Sequence, residues 1–506
     1  MAKTASFLDL HLVRLDRRKN APLTKQLYDS LLTAIQSGQL PAGFRLPSTR
    51  ELATQLAISR TTVIGAFDQL VAEGYLTSIV GQGTRVRLSL PEEALMARFQ
   101  RDDALPSARQ TASAANKESA QLSEFGQNIA GIDFSGLAYS PEIKPFRSGI
   151  PALDEFPIAA WSQMIRKVWK SVSVQDLSYG ESEGWRPLRR AIANYVRGFR
   201  GVRCSDEQVL IVNGTQQAFD IINRLVLNPG DKVLFESPGY LRAKLAFQAT
   251  GASLVNVPVD QHGMNLAAIC DSSSSAQLAY VTPSHQYPMG VTMSIDRRMQ
   301  LIEWASRNQS WIVEDDYDSE FRYSHRPIPA LQGLDPGERT IYVGSFSKVM
   351  YPSLGIGYVV VPYPLIDAFR KVLAVAGRPP SKVDQIALAE FIDEGHFARH
   401  LRRMRIVHES RRTALVESIN THLSHALRIV GADAGLHCTA LLDDRWHDQT
   451  IVQKAGENGV FLRSLSEFFD HDPRFENTNG LVFGFACSTP SQIKAAIRKL
   501  LPIFRS

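Results

Sequence analysis

Lys348 is the residue whose surroundings in the sequence most clearly indicate a chemical role. It follows Gly344, Ser345, Phe346 and Ser347 between two short β-branched runs, so we expect it at the tip of a strand–loop–strand. A lysine amine can form a Schiff base with a bound carbonyl compound, while small residues and serine hydroxyls beside it can hold an anion. A pyridoxal-phosphate lysine has these requirements. The alternative is an exposed loop lysine beside two turn serines, which the motif alone does not exclude.

An apolar run that ends in acids precedes this loop. Residues 311–318 read WIVEDDYD, which predicts a buried strand with Asp315 and Tyr317 near its carboxyl end. Open α/β sheets bind their ligands at the carboxyl ends of their strands. A carboxylate at Asp315 would keep a pyridinium nitrogen protonated, and the phenol of Tyr317 would bond the 3′-oxygen of the same ring. With Lys348, these residues predict a site for pyridoxal 5′-phosphate.

From about Phe146 to its end, the chain resembles a fold type I aminotransferase. Its motifs NGTQQA, ESPGY, TPSHQYPMG, EDDYDSEFRY and GSFSK resemble those of the MocR regulators and occur in the expected order. The alternation of strand and helix patterns independently predicts an α/β domain with a mostly parallel sheet. The resemblance implies a pyridoxal-phosphate domain over 146–506, with a small C-terminal α+β lobe from about residue 379.

Further cofactor contacts follow from these motifs. Thr215 and Gln216 stand where a strand gives way to a helix, so their N–H groups would face the phosphate. By resemblance, Tyr240 stacks on the pyridine ring. Tyr287 stands where many aminotransferases have an asparagine that bonds the 3′-oxygen, so this bond falls mainly to Tyr317. The predicted cofactor-binding residues are therefore Thr215, Gln216, Tyr240, Tyr287, Asp315, Tyr317, Ser345 and Ser347, with Lys348 as the Schiff-base residue.

Two departures from the family pattern concern arginines. Gly355 stands where MocR sequences usually have an arginine on the phosphate, and losing one such contact weakens affinity by about one to two decades. The late strand at 480–486 lacks the arginine that clamps a substrate carboxylate in many aminotransferases. Arg242 and Arg463 are the predicted effector-binding residues in its place. The alternative is that both are surface cations.

The first ninety residues have a different pattern. A helix is predicted from Pro22 to Gly38, a capping box at Ser48 and Glu51 opens a second helix, and Ser59 caps a third. Two short strands follow around a glycine-rich turn. This stretch resembles the GntR-type winged helix, whose domain we place at 12–88. The resemblance implies DNA contacts from Arg50, Ser59, Arg60, Thr61, Thr62, Gly81 and Gly83.

Local structural roles are an alternative for these DNA-binding candidates. Thr61 and Thr62 could serve only to start the third helix. Arg50 could pair with Glu51 or Asp68 instead of a phosphate. The order of the motifs favours the DNA-binding interpretation.

Residues 89–145 are predicted to be a flexible linker, because periodicity is lost and small polar residues dominate. A short helix at 92–99 is compatible with the pattern. The net charge supports the same division, since residues 1–90 hold 11 Lys/Arg and 6 Asp/Glu, whereas residues 91–506 hold 45 of each. An excess of positive charge on the small domain alone predicts that this domain meets a polyanion.

The composition bears on the cellular compartment that we expect for the protein. No apolar run approaches the ~20 residues of a membrane helix, and the charged start does not resemble a signal peptide. Four cysteines, at 204, 270, 438 and 487, form no C-x-x-C pair, so neither a metal site nor a disulfide framework is predicted. We expect a cytoplasmic protein without membrane contact.

Together these patterns predict a transcriptional regulator. It would bind double-stranded operator DNA and sense a small amine or amino-acid-like effector through an aldimine on Lys348. The resemblance also implies a homodimer, in which the N-terminal domains can be exchanged between subunits. The alternatives are an active aminotransferase with a DNA-binding tether and a regulator whose large domain only dimerises. Enzymatic activity would be at most a residual transamination.

Overall fold

The computed structural model describes residues 13, 15–16, 21–79, 83–87, 122–132, 142–269, 275–323, 328–469 and 478–505. The chain divides into two compact units between Ala120 and Gln121. No helix in these ranges is both long and apolar enough to cross a membrane.

The N-terminal unit is a winged helix, as predicted. Helices α1 (Leu23–Gln36), α2 (Thr49–Gln55) and α3 (Arg60–Ala72) precede an antiparallel hairpin of β1 (Leu76–Ile79) and β2 (Gly83–Val86). The predicted capping box is present, because Ser48 Oγ accepts from Glu51 N at 3.2 Å and the Glu51 carboxylate accepts from Ser48 N at 2.9 Å. These bonds satisfy N–H groups that the first turn leaves free.

The core of this unit consists of one apolar stripe from each helix. Leu27 and Leu31 of α1, Leu52 of α2, and Val63 and Leu70 of α3 are fully buried. The spacing of four residues in α1 and of seven in α3 places each pair on one helix face. The recognition-type pair α2 and α3 is therefore fixed from inside, while its outer face is exposed.

The chain between the domains contains more order than a linker prediction implies. Within the predicted linker 89–145, the structure has a helix α4 (Glu124–Ala130), whose first turn is capped by Ser123. The compact C-terminal unit begins at Gln121, so it includes the last 25 residues of that stretch. The helix considered at 92–99 lies outside the described residues.

Eight strands of the described C-terminal unit form the central sheet, in the order β3-β10-β9-β8-β7-β4-β5-β6. Strands β4, β5, β7, β8 and β9 pair in parallel, while β10 is antiparallel to both of its neighbours and β6 to β5. The mostly parallel sheet is thus confirmed. The strands are β3 (Val209–Val212), β4 (Lys232–Ser237), β5 (Ser253–Asp260), β6 (Gly263–Met264), β7 (Ala276–Val281), β8 (Trp311–Asp316), β9 (Thr340–Ser345) and β10 (Gly357–Val360).

Helices cover both faces of this sheet. Val209 and Ile211 of β3 join one apolar cluster, while Leu210 and Val212 join another on the opposite face. A strand buried on both faces is typical of a doubly wound sheet, which explains its uninterrupted apolar sequence. The helices of this lobe are α5 (Ile158–Ser171), α6 (Arg186–Arg200), α7 (Gly214–Val226), α8 (Leu241–Ala249), α9 (Ile295–Asn308), α10 (Leu331–Leu334) and α11 (Ile366–Ala376).

The C-terminal lobe packs helices on a four-stranded antiparallel sheet, ordered β11-β12-β14-β13 among the described residues. The longest helix of this lobe runs from His396 to His422. Phe146 bridges to Gly484, so the start of the C-terminal unit joins this lobe's sheet. The elements are α12 (Lys382–Asp393), α13 (His396–His422), β11 (Leu427–Val430), β12 (His437–Leu442), α14 (Asp448–Glu457), β13 (Arg463–Ser464), β14 (Gly480–Gly484) and α15 (Pro490–Leu500).

Candidate functional site

The carboxyl ends of the sheet gather residues that are far apart in sequence. Asp315 lies near the end of β8, Ser345 ends β9 just before Lys348, and Thr215 lies in the first turn of the helix after β3. Tyr240 follows β4 and stands immediately before α8. Because these strands run in the same direction, their ends meet at one edge of the sheet, where such folds bind ligands. The structure therefore brings together the residues that the motifs predicted.

Lys348 is hydrogen-bonded to the chain near the start of the C-terminal unit. Its Nζ donates to the Gly149 carbonyl at 2.8 Å. Burial lowers the pKa of the Lys348 amine, Arg242 adds to the lowering, and Asp318 and Asp315 oppose it. A lowered pKa increases the neutral fraction of the amine, which is the nucleophilic form.

Asp315 has one oxygen to spare. Its Oδ2 accepts a hydrogen bond from Tyr280 at 2.6 Å, but Oδ1 is buried without a partner among the described residues. Burial raises the pKa of this carboxyl to about 7, so the site itself disfavours the charged form. A pyridinium N–H fits this acceptor and would favour the carboxylate. Asp315 thus suits the predicted role opposite the ring nitrogen.

Three tyrosines line the site. The Tyr287 ring lies 5.6 Å from the Tyr240 ring and 6.2 Å from the Tyr317 ring, both edge to face. The Tyr317 hydroxyl donates to the His285 carbonyl at 2.8 Å. To make the predicted bond, this hydroxyl must donate to the 3′-oxygen of the cofactor instead of to the His285 carbonyl. The cofactor-binding role of Tyr317 therefore stays a prediction.

The predicted phosphate-binding residues form two loops. Thr215 and Gln216 lie in the first turn of α7 after Gly214, whose φ of +76° suits a glycine. The Ser347 N–H donates to Ser345 Oγ at 3.1 Å, which tightens the turn before Lys348. Helix N-termini and serine turns both present N–H groups to an anion.

Gly355 ends a short 3₁₀ turn at Pro352–Leu354 in a left-handed conformation, with φ of +66°. A Cβ built there would meet only Ser353 O, at 4.0 Å, among the residues that the structure describes. Space is therefore available for the larger residue that the family usually has, but the backbone conformation favours glycine.

The two predicted effector arginines have different surroundings. Arg242 lies in the first turn of α8, and its charge acts on the Lys348 amine, which indicates that it faces the site. Arg463 lies on β13 directly opposite Val482 of β14. It therefore neighbours the very strand on which an arginine is missing. Its guanidinium is bound to Glu467 within the same lobe.

A buried cluster beside the tyrosines was missed by the sequence analysis. His285 Nδ1 lies 3.1 Å from Asp318 Oδ1, and Asp318 Oδ2 accepts from Leu436 N at 3.1 Å. His437 donates to the Pro288 carbonyl at 3.1 Å, and burial holds its pKa well below the usual value. These bonds join the sheet-edge loops to the C-terminal lobe. The signal was available, because TPSHQYPMG and EDDYDSEFRY contain His285 and Asp318.

The same cluster contains three groups that ligate metals. Ligand atoms of His285, Asp318 and His437 lie within 4.8 Å of one another. However, Asp318 is already shared between His285 and a backbone N–H, and His437 has the Pro288 carbonyl. Protein hydrogen bonds therefore account for Asp318 and His437, whereas His285 Nε2 is buried without a partner among the described residues.

The predicted DNA-binding residues divide into caps and exposed side chains. Ser59 Oγ accepts from Thr62 N at 3.1 Å and lies 2.7 Å from Thr62 Oγ1, so both residues form the start of α3. Arg50, Arg60 and Thr61 are exposed on the outer face. Thr62 therefore has a local structural role whether or not it contacts DNA, and the DNA contacts of all these residues stay predictions.

The wing adds exposed cations that the sequence analysis did not single out. Arg45, Arg85 and Arg87 are exposed on or beside the hairpin, and Arg45 bridges to Arg85. Gly83 has φ of +85°, and the Arg45 guanidinium lies close above it. Gly81 lies outside the described residues. The alternation of Arg85 and Arg87 with apolar residues was the available signal for two of these arginines.

Comparison with known proteins agrees with both units. The family model "Aminotransferase class I and II" matches residues 146–500, and the model "Bacterial regulatory proteins, gntR family" matches residues 23–86. The chain is 39% identical over 491 residues to the probable rhizopine catabolism regulatory protein MocR of Rhizobium meliloti, covering 97% of this chain and 95% of that protein.

Two further proteins extend the comparison. The pyridoxine biosynthesis transcriptional regulator PdxR of Corynebacterium glutamicum is 28% identical over 473 residues, 94% of each chain. The multiple substrate aminotransferase of Thermococcus profundus superposes with a TM-score of 0.68 at 26% identity, covering 76% of this chain and 97% of that one. The chain therefore belongs to the MocR-type regulators, in which a GntR-type winged helix is joined to an aminotransferase domain whose cofactor is pyridoxal 5′-phosphate.

Proposed function

We propose that this protein regulates transcription by sensing a small amine or amino-acid-like effector at Lys348. The carrying observation is that Lys348, with a lowered pKa, shares one site with Asp315, whose buried Oδ1 has no partner among the described residues, in a chain that also has a winged helix. Pyridoxal phosphate supplies an electrophilic aldehyde carbon there. An effector with a primary amine competes with Lys348 for that carbon.

The proposed exchange conserves atoms and charge. An effector amine would replace Lys348 Nζ on the electrophilic carbon that the cofactor would supply, and Lys348 would be freed as an amine with the protons that the effector gives up. Asp315 would hold the ring nitrogen and Tyr240 one ring face, while Arg242 is the first candidate for an acidic group on the effector. Arg463 is the second.

The exchange alters the free energies of different arrangements of the two lobes by different amounts. The freed Lys348 regains donors, and the effector body fills space between sheet edge and C-terminal lobe. A ligand shifts a conformational equilibrium only through such differential contacts. We infer that this shift is passed to the DNA-binding units.

The proposed DNA contact uses the exposed face of α2 and α3. Arg50, Arg60 and Thr61 are exposed at the start of these helices, where a major groove accepts side chains. The basic wing would lie along the backbone or in the minor groove. Such binding depends on salt, because each neutralised phosphate releases counterions.

A homodimer is part of this proposal. Large apolar side chains more than half exposed occur near the end of α5, in the segment that follows it and at the end of α11, and they are Trp169, Val174, Leu177, Tyr179 and Val375. The Arg378 guanidinium lies 4.0 Å from the Tyr179 ring, so these segments are neighbours. An exposed apolar patch is typical of a subunit interface. A twofold dimer also matches paired half-sites on DNA. Exchange of N-terminal domains between subunits is compatible with the length of the chain between them.

An aminotransferase with a DNA tether is the second candidate. It is favoured by the cofactor site, which has the lysine, the acid and the stacking tyrosine that transamination uses. Turnover also requires efficient binding and release of two substrates, and β14 lacks the arginine that clamps a carboxylate.

One set of measurements separates the candidates. Wild type and Lys348→Ala are titrated with amines and amino acids while cofactor absorbance and operator affinity are followed. A regulator changes operator affinity with a spectral change in wild type only. A compound that alters DNA binding equally in both proteins, without a spectral change, contradicts the proposed exchange at Lys348. Multiple turnovers of both half-reactions would instead establish the enzyme.

A further inference from the structure

Glu467 forms an ion pair with the guanidinium of Arg463. Arg463 Nε and Nη2 donate to Glu467 Oε2 at 3.1 and 2.9 Å, and Ser464 Oγ donates to Glu467 Oε1 at 2.7 Å. Glu467 belongs to the 3₁₀ turn Ser466–Phe468 that closely follows β13. A short segment of the C-terminal lobe thus contains both an anion-binding fork and an anion that fills it.

This pair lies on the face of the small sheet that packs against Tyr287. Arg463 and Val482 are directly opposite on neighbouring strands, so their side chains share one face. Val482 packs in a cluster with Phe468, against which Leu241 and Tyr287 also pack. Leu241 is the residue between Tyr240 and Arg242, so the cluster reaches the first turn of the helix that carries Arg242.

Phe468 fixes the orientation of the arginine. The Arg463 guanidinium lies 4.7 Å from the Phe468 ring centroid, and the Phe468 carbonyl accepts from Gly239 N at 3.2 Å. The Phe468 ring also lies 5.3 Å from the Tyr287 ring. Since the stack does not depend on Glu467, Arg463 keeps its position when its carboxylate partner changes.

We propose that Glu467 is a specificity-determining residue, an internal carboxylate that holds Arg463 until the carboxylate or sulfonate of an effector replaces it. This inference rests on the proposed function and deepens it. Effectors that carry an acidic group besides the amine exchange one anion for another on the same fork. Amines without an acidic group leave the Arg463–Glu467 pair intact and gain nothing from it.

The pair is weak enough to be exchanged. The Arg463 side chain is 18% exposed and that of Glu467 is 37% exposed, so water screens their attraction. Partly exposed ion pairs of this kind are readily broken, and removing the competitor should raise the affinity of an acidic effector by roughly three- to ten-fold.

The test uses the full-length protein loaded with cofactor and a matched series of probes. The ω-amino acids from glycine to 6-aminohexanoate are compared with the alkylamines and diamines of the same chain length, by titration of the cofactor absorbance. We expect Glu467→Gln to lower the dissociation constants of the amino acids by roughly three- to ten-fold and to leave those of the alkylamines unchanged. In Arg463→Gln/Glu467→Gln this gain should vanish.

The controls separate folding from recognition. Glu467→Gln keeps an acceptor for Ser464 and the size of the side chain, and Glu467→Asp is a second variant that withdraws the carboxylate from Arg463. The inference would be overturned if Glu467→Gln changed the dissociation constants of amino acids and alkylamines equally. It would also be overturned if this variant weakened diamine binding without strengthening the binding of amino acids. If no amine in the series perturbs wild type, the proposed function fails with it.

Discussion

The two units of this protein build their functional surfaces in opposite ways. In the N-terminal unit, the candidate residues are neighbours in sequence, and Arg50, Arg60 and Thr61 project from helices that local caps hold in place. In the C-terminal unit, Asp315 and Lys348 come from different strands and are buried or partly buried. An outer face needs few long-range contacts, whereas a buried site depends on the whole sheet. Substitutions should therefore act locally in the first unit and cooperatively in the second.

The largest effect is expected from Lys348→Ala. Without the amine, borohydride should fix no cofactor to the protein, and the amine-dependent change in operator affinity should disappear. Operator affinity without effector should change little, because the winged helix is a separate unit. Absorbance, mass spectrometry and a DNA-binding titration check this result. A borohydride-reducible cofactor adduct that persists in Lys348→Ala would contradict the assignment of Lys348.

Asp315→Asn should weaken cofactor binding by about one to two decades, through loss of a charge-assisted bond of ~1.5–3 kcal/mol. The measurement is the cofactor dissociation constant, obtained by absorbance after dialysis. Asp318→Asn is the matched control, since it removes a nearby carboxylate that bonds to His285 and Leu436 instead. Equal losses in both variants would show that general charge, not the Asp315 contact, controls affinity.

In the cofactor-free protein, Asp315→Asn should change how the free energy of unfolding depends on pH. Because the pKa of Asp315 is raised to about 7, the folded chain retains a proton there that the unfolded chain loses above about pH 4. The free energy of unfolding of wild type therefore falls between about pH 4 and 7. The amide introduced by Asp315→Asn cannot titrate, so this variant should flatten the slope by up to ~1.4 kcal/mol per pH unit. Denaturant unfolding across this pH range measures it; an unchanged slope would contradict the raised pKa.

Arg60→Ala should weaken operator binding by about tenfold and lower its salt dependence by roughly one counterion if Arg60 meets a phosphate. Cofactor absorbance should not change. Arg190→Ala, an exposed arginine of the C-terminal unit, is the matched control. Undiminished operator affinity in Arg60→Ala would remove this residue from the interface.

Ser59→Ala should have the smallest effect. It removes the cap on Thr62 N and costs about 1 kcal/mol of stability in the N-terminal unit. Thermal unfolding measures this cost. If Ser59 also contacts DNA, operator affinity will fall more than in a Ser48→Ala variant, which loses an equivalent cap at α2.

The sequence predicted best where physics is local. The capping box at Ser48, the cap at Ser59 and the apolar stripe of α1 follow from residues at most a few positions apart. For Lys348 and Asp315 the motif resemblance supplied the prediction, and their roles stay predictions. In contrast, the position of Arg463 opposite Val482 depends on the register of two strands, which no local pattern specifies.

The features that the sequence did not predict depend on which polar atoms are buried and on which partners their side chains find. Neither the buried Oδ1 of Asp315, which has no partner in the described part of the chain, nor the pairing of Arg463 with Glu467 follows from residue type. Helix α4 was absorbed into the predicted linker because its apolar residues, Phe125 and Ile129, stay largely exposed and leave only a weak pattern. Tyr317 shows the same limit, since its hydroxyl donates to a main-chain carbonyl that the sequence does not indicate.

The hydrogen bond from Lys348 to the Gly149 carbonyl has a consequence for how cofactor loading is felt elsewhere. Gly149 lies three residues after Phe146, where the chain joins the sheet of the C-terminal lobe. If Lys348 Nζ bonds the cofactor as proposed, this carbonyl would lose its donor, and a partly buried acceptor left alone costs about 1–3 kcal/mol. Under the same proposal, release of Lys348 by an amine would restore the bond. The contact between Lys348 and the segment at Gly149 would then depend on the chemical state of one nitrogen atom.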